Sequence, residues 1–260
     1  MRATAVVVFA KAPRAGAVKT RLCPPLSPAA AARLYRCFLL DTLDRVQAVR
    51  GVTAAVAYAP RDARAFFAAA RPGMLLVSQG GGDLGARMAR VVRYLVARGF
   101  AAVVIVGADS PTLPLRHLRA AIRLLGTAAA DGVIGPSEDG GYYLIGLRAP
   151  CPALFAGVSW GTGRALAQTL AKARRAGYRL RLLPAWYDVD TVADLHRLAA
   201  ELRRRRGPAP RTGHLLGTRA WRAWYLTSRA ARTERPAGVA RPAARVRSDR
   251  RVRCRGMSCC

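Results

Sequence analysis

Lysine is nearly missing from this chain: Lys11, Lys19 and Lys172 are its only lysines among 44 basic residues, and the rest are arginine. Acidic residues number only 14, leaving a net charge of +30. About half of that excess sits in residues 203–260, which hold 17 arginines against Glu234 and Asp249. So strong an arginine bias fits a G+C-rich coding sequence, and it weakens arginine abundance as a sign of nucleic-acid binding. No apolar run approaches the ~20 residues that a membrane helix needs. Cys23, Cys37, Cys151, Cys254, Cys259 and Cys260 form no C-x-x-C pair and no metal-ligand spacing. Six scattered thiols point to a reducing, cytoplasmic setting. Lys11 interrupts the apolar segment that a secretory leader would require. His117, His196 and His214 stand alone, which leaves no Ser-His-Asp arrangement and no histidine metal cluster. A P-loop is excluded too, because Val18 stands where GxxxxGK[ST] needs glycine. No internal repeat is visible.

The patterning that is present describes an α/β domain. Apolar runs ended by turn residues read as buried strands at Thr4–Ala10, Thr53–Tyr58, Leu75–Ser78, Val103–Gly107, Gly132–Gly135, Tyr142–Leu147 and Leu180–Leu183. Helical segments alternate with them, the first capped by Ser27 with Pro28 at its first turn. The expected architecture is a mostly parallel central sheet flanked by helices. The periodicity fades past Gly207. The chain therefore reads as one domain over 1–206, followed by an Arg/Pro-rich, mostly disordered tail over 207–260.

Ligands of such sheets bind beyond the carboxyl ends of the strands, and four stretches fall there. The loop after the first strand carries Lys11, Arg14, Lys19 and Arg21, a set suited to phosphate. Two of the three lysines lie in it, which a merely solvated arginine-rich loop does not explain. Gly80–Gly85 matches G-x-G-x-x-G between a strand and a helix; Gly82, Asp83 and Arg87 are its candidate nucleotide contacts, against a plain flexible turn. A dinucleotide fingerprint fits poorly, since the motif follows the third strand rather than the first. Asp109 ends the run VVIVGAD as a lone hard carboxylate, suited to Mg²⁺ or Mn²⁺ beside phosphates. Asp190, just before the last helix, is read as helix N-cap, metal ligand or both, with Asp188 beside it. Glu138 and Asp139, with Gly140, Gly141 and Tyr142, form an acidic, glycine-rich loop that either meets an acceptor hydroxyl as general base or is an ordinary hairpin turn. Trp160 and Tyr187 are core residues or stacking surfaces for a sugar or base.

The stretches FAKAPRAGAVKTRL, QGGGDLGARM, VGADSPTLP, GPSEDGGYYLIGL, SWGT and DVDT follow one another over residues 1–205. As an ordered set they resemble the rSAM/selenodomain-associated transferases, bacterial relatives of the nucleotide-diphospho-sugar transferases. The resemblance implies a GT-A type sheet, a nucleotide or nucleotide-sugar donor, a small-molecule acceptor, a divalent cation and a glycosyltransferase label, in some members tied to arsenosugar biosynthesis. More distantly, the set is similar to guanylyltransferases that activate phospholactate and to molybdenum-cofactor nucleotidyltransferases. It implies Lys11, Arg14, Lys19 and Arg21 on the phosphates, and Gln79–Arg87 on the base or ribose. Asp109 and Asp190 would hold the metal, with Glu138, Asp139, Gly140, Gly141, Tyr142 and Trp160 toward the acceptor. Transfer of a nucleotidyl group with release of pyrophosphate is the alternative chemistry. The rival class is a nucleic-acid-binding protein acting through the tail, although the body carries no RNA-module motif or aromatic stacking platform.

Overall fold

The computed structural model describes residues 3–127, 130–204 and 207–224. Two β-branched runs build its centre. β1 (Thr4–Lys11) and β4 (Ala102–Gly107) lie side by side and parallel, buried on both faces. Around them β2 (Val52–Ala59), β3 (Leu75–Ser78), β5 (Gly132–Pro136), β6 (Tyr142–Leu147) and β7 (Leu180–Leu182) complete a seven-stranded sheet. Its order is β3-β2-β1-β4-β6-β5-β7, and β6 alone runs antiparallel, between β4 and β5. The mostly parallel sheet read from the sequence is therefore the one observed.

The chain winds outward from β1 to β2 and β3, then returns to place β4 on the other side of β1. This reversal opens a crevice at the carboxyl ends of β1 and β4, where open α/β sheets hold their ligands.

Helices cover both faces. α1 (Pro28–Gln47), α2 (Arg64–Ala70) and α4 (Leu115–Leu125) pack with Val6, Val8, Val104 and Val106. The opposite face, with Ala5, Val7, Val103 and Ile105, is covered by α3 (Leu84–Ala97) and α5 (Ala165–Arg175). α1 starts as its sequence dictates, with the Ser27 hydroxyl accepting from the amide of Ala30 at 3.2 Å and Pro28 in the first turn.

A third apolar cluster joins α1 to the segments between Trp186 and Trp224. Leu22, Leu26, Leu34 and Phe38 pack there with Tyr187, Val189, Leu195 and Leu198, the last two from α6 (Val192–Arg204). Fully burying Leu22 contributes about 1.5–3 kcal/mol and anchors the loop after β1.

This cluster corrects the domain boundary. Residues read as tail form α7 (Pro210–Gly217), and Leu215 and Trp221 complete the apolar cluster. The carboxylate of Asp41, buried in α1, accepts from the amides of Arg211 (3.1 Å) and Thr212 (2.9 Å) and from the Thr212 hydroxyl (2.7 Å). A carboxylate at a helix N-terminus is favoured by the free amides and the helix dipole. Arg45 adds donation to the carbonyls of Leu113 and Pro208. The folded body thus extends beyond residue 206. The tail expected over 225–260 lies outside the described residues.

Candidate active site

A cavity of about 620 Å³ opens at the β1–β4 crevice. Lys11 reaches it from the end of β1, Lys19 and Arg21 from the loop that follows, and Asp109 from just beyond β4. Asp188 and Asp190 come from the segment before α6, Gln79, Gly82, Asp83 and Arg87 from the turn into α3 and its first turns, and Asp139, Gly141, Tyr142 and Trp160 from the far wall.

Lys19 stands at the centre. Its side chain is 3% exposed, and its ammonium contacts Asp109 while donating to Asp190 Oδ1 at 2.9 Å. The ring of Phe38 lies 5.8 Å from Nζ. Burial alone would lower the Lys19 pKa, yet the Asp109 and Asp190 carboxylates raise it above the ordinary amine range. The backbone here has φ +50°, the only positive φ among the described non-glycine residues. In this structure the Lys19 ammonium is paired with both carboxylates. Lys11 and Arg21 line the cavity without a carboxylate partner among the described residues. Arg14 does not join them; it pairs with Asp62 at 2.7 Å on the surface.

Asp188 lies behind this group. Ser110 donates to one of its oxygens, and Ser137 donates to the other at 2.7 Å. Burial pushes its carboxyl up to about 6; the Asp109 charge adds to this, against the two hydroxyls and Lys19. The amide of Val189 donates to the carbonyl of Asp109 at 3.0 Å. Asp188 and its neighbour thereby tie together the segments that follow β4 and β5.

Asp190 is not the cap of α6. Thr191 and Asp194 cap each other: the Thr191 amide donates to Asp194 Oδ2 at 2.8 Å, and the Asp194 amide to the Thr191 hydroxyl at 3.3 Å. The Asp190 carboxylate is left for Lys19 and the cavity. Asp109 does not cap α4 either, because Pro114 holds that position.

The glycine-rich turn is held by its own residues. Asp83 caps α3 by accepting from the Ala86 amide at 2.7 Å. Arg87 donates to the carbonyl of Gly82 at 2.7 Å, and Arg90 to those of Gln79 and Gly81 at 2.7 and 2.8 Å. Buried Gln79 donates both amide hydrogens, to the carbonyls of Ala10 (3.0 Å) and Ala57 (2.8 Å). Two carbonyl neighbours fix which end of the side chain is nitrogen. Its Oε1 has no partner among the described residues and is left for the cavity that Gln79 lines.

On the far wall Asp139, Gly141, Tyr142 and Trp160 line the space, the two rings meeting edge to face at 6.1 Å. Asp139 Oδ1 accepts from the amide of Gly141 at 2.9 Å. Glu138 does not line the cavity; Arg197 binds both of its oxygens at 2.5 and 3.0 Å and stacks over Tyr187. That ion pair holds the Glu138 pKa below the usual carboxylate range. Gly140 has φ +84°, and a Cβ there would strike the backbone of Gly163. Packing alone therefore requires glycine here.

Asp109 and Asp190 are 44% and 38% exposed, so each offers oxygen to the cavity beyond what Lys19 uses. No larger cluster of metal-ligating side chains occurs among the described residues. Two carboxylates completed by phosphate oxygens are the set that Mg²⁺ takes with a nucleotide.

The sheet order, the crevice and its charged rim place the molecule in the class of α/β folds built like the nucleotide-diphospho-sugar transferases. A crystal structure from Desulfovibrio desulfuricans G20, of a protein provisionally named nucleotide-diphospho-sugar transferase, matches with a TM-score of 0.75. Sequence identity is 32%, over 90% of this chain and 98% of that one. The chain belongs to the family of that protein and is a transferase of the nucleotide-diphospho-sugar transferase superfamily. Residues 42–162 also match the family DUF2064, described as an uncharacterized protein conserved in bacteria. At lower identity the fold is shared by 4-diphosphocytidyl-2C-methyl-D-erythritol synthase: TM-score 0.52, 16% identity, 76% of this chain and 97% of that one. It is shared as well by molybdopterin-guanine dinucleotide biosynthesis protein A of Archaeoglobus fulgidus: TM-score 0.52, 13% identity, 77% and 100%. No curated protein sequence matches the chain.

Proposed function

We propose that this protein transfers a group from a nucleotide-sugar donor to the hydroxyl of a small-molecule acceptor, with a divalent cation at Asp109 and Asp190. The observation that carries the reading is the carboxylate pair at the β1–β4 crevice, facing a nucleotide-sized cavity that Lys11 and Arg21 also line. The provisional name of the Desulfovibrio relative supports a nucleotide-sugar donor.

Lys11 and Arg21 would meet the phosphates, an ammonium and a guanidinium matched to their oxygens. Gln79 Oε1 would accept from an N–H of the base, its amide being locked by Ala10 and Ala57. Tyr142 and Trp160 would pack against the sugar or the acceptor. Asp139, not Glu138, is the acid of the SEDGG loop that would take the proton of the acceptor hydroxyl. As the acceptor oxygen bonds to the sugar carbon, the bond from that carbon to the phosphate oxygen breaks and a nucleoside diphosphate leaves. Lys11 and Arg21 would stabilise the charge that develops on it. A bound Mg²⁺ or Mn²⁺ would supply further charge neutralisation to the leaving phosphates.

Attack at phosphorus, with loss of pyrophosphate, is the second reading; the likeness in fold to cytidylyl- and guanylyl-transferring proteins favours it. Phosphorus NMR of reactions run with nucleotide sugars and with nucleoside triphosphates separates the two by their by-product. Asp109→Asn should lower turnover at least about 100-fold with the circular dichroism spectrum unchanged. Undiminished turnover in that variant refutes the assignment.

A further inference from the structure

The loop after β1 divides its cations. Lys11 and Arg21 stand at the cavity without a carboxylate partner among the described residues, whereas Lys19 is buried beneath them with two carboxylates on one ammonium. Several features hold it there. Leu22, fully buried one turn further on, pins the loop, and the Lys19 backbone takes a left-handed conformation to turn the side chain inward. Phe38 closes over the ammonium. Asp109 and Asp190 nevertheless keep 44% and 38% of their side chains exposed, so the cation is enclosed while the carboxylates are open. The oxygens that Lys19 uses belong to the same two side chains that a divalent cation would need. A compact ammonium and a metal ion compete for such oxygens on charge and on coordination direction.

We propose that Lys19 is a resident counter-ion, which holds the Asp109–Asp190 pair closed, competes with a divalent cation for it, and moves to the donor phosphates when metal and nucleotide bind together. Metal alone then binds weakly, because it must displace a buried ammonium that has nowhere else to go. Metal that arrives with a nucleotide brings phosphate oxygens to complete its own ligand set and to receive Lys19. Binding of the two becomes mutually dependent, and the linkage is reciprocal. The second half of this proposal rests on the nucleotide-donor reading; the competition between Lys19 and metal does not.

Calorimetric titration of Mn²⁺ without nucleotide reads the competition. Lys19→Met, uncharged and similar in length, should bind Mn²⁺ at least about tenfold more tightly than the natural protein, and Lys19→Arg should not. If Lys19→Met binds Mn²⁺ no more tightly while losing nucleotide affinity, Lys19 is a phosphate ligand only and the proposal fails. It fails as well if neither protein binds Mn²⁺. A second readout needs no variant. The chain has only three lysines, so ¹⁵N spectra of the side-chain ammonium groups resolve Lys19 against Lys11 and Lys172. Its signal should move on adding Mg²⁺ with nucleotide, and move far less with Mg²⁺ alone. A signal that stays fixed with both present overturns the proposal. Tighter Mn²⁺ binding by Lys19→Met, in a protein that binds no nucleotide tested, would uphold the counter-ion and refute the donor reading.

Discussion

Replacing Asp188 by asparagine should stabilise the protein at neutral pH. A carboxyl held at about 6 rather than 3.8 binds its proton more tightly in the folded state than in the unfolded one. Its contribution to stability is complete below about pH 3.8 and is lost as pH rises through about 6. Above that range the displacement costs the folded state about 3 kcal/mol, at ~1.4 kcal/mol per pH unit. Asparagine removes the ionisable group, keeps an oxygen to accept from Ser110, and presents an amide to the Ser137 hydroxyl, which can accept as well as donate. For a body of this size 1 kcal/mol moves Tm by about 2–4 °C. Asp188→Asn should therefore raise Tm at pH 8, in EDTA, by several degrees and by at most about 12 °C. The gain should shrink toward pH 5 and vanish near pH 4. The assay is thermal unfolding of both proteins across that range without divalent cations. A variant no more stable than the natural protein at pH 8, or a difference that does not depend on pH, refutes the reasoning.

Three further outcomes follow from the same geometry. Asp41→Ala removes a buried carboxylate that binds two amides and a hydroxyl at the start of α7; it should cost about 3–5 kcal/mol, and limited proteolysis should then cut within residues 207–217. Gly140→Ala forces a Cβ onto the backbone of Gly163 at a positive φ, so chemical denaturation should show a loss of about 2–5 kcal/mol. Glu138→Gln breaks a half-exposed ion pair away from the cavity; turnover should stay within about threefold of the natural value and stability within about 1 kcal/mol.

Local signals carried most of the fold. Leu75–Ser78 and Tyr142–Leu147 end where a glycine or a polar turn ends their apolar pattern, and the structure keeps those limits. The edge positions of Asp109, Asp139 and the cationic loop were legible too, because a strand's end can be read from the strand itself. Pairing across the crevice was not. Lys19 meets Asp190 across 171 residues, and nothing local to Lys19 distinguishes it from Lys11. One signal was available and passed over: Thr191-Val192-Ala193-Asp194 is a capping box, which accounts for the α6 terminus and releases Asp190 from capping it. Arg90 gave no hint, since it acts on carbonyls of a turn nine and eleven residues earlier from within an ordinary helix. α7 was hidden by its arginine- and proline-rich surroundings, and its docking depends on Asp41, far back in α1.

On the proposed function, a nucleotide and a divalent cation are held together at Asp109 and Asp190. Thermal shift over nucleoside triphosphates and nucleotide sugars, run with Mn²⁺ and with EDTA, tests it most directly. A ligand at 100 times its Kd stabilises by about 2.7 kcal/mol, a rise of about 5–10 °C here. At least one nucleotide should give such a rise with Mn²⁺, lost in EDTA and lost in Asp109→Asn. No rise with any nucleotide, or one that persists undiminished in EDTA and in the variant, contradicts it.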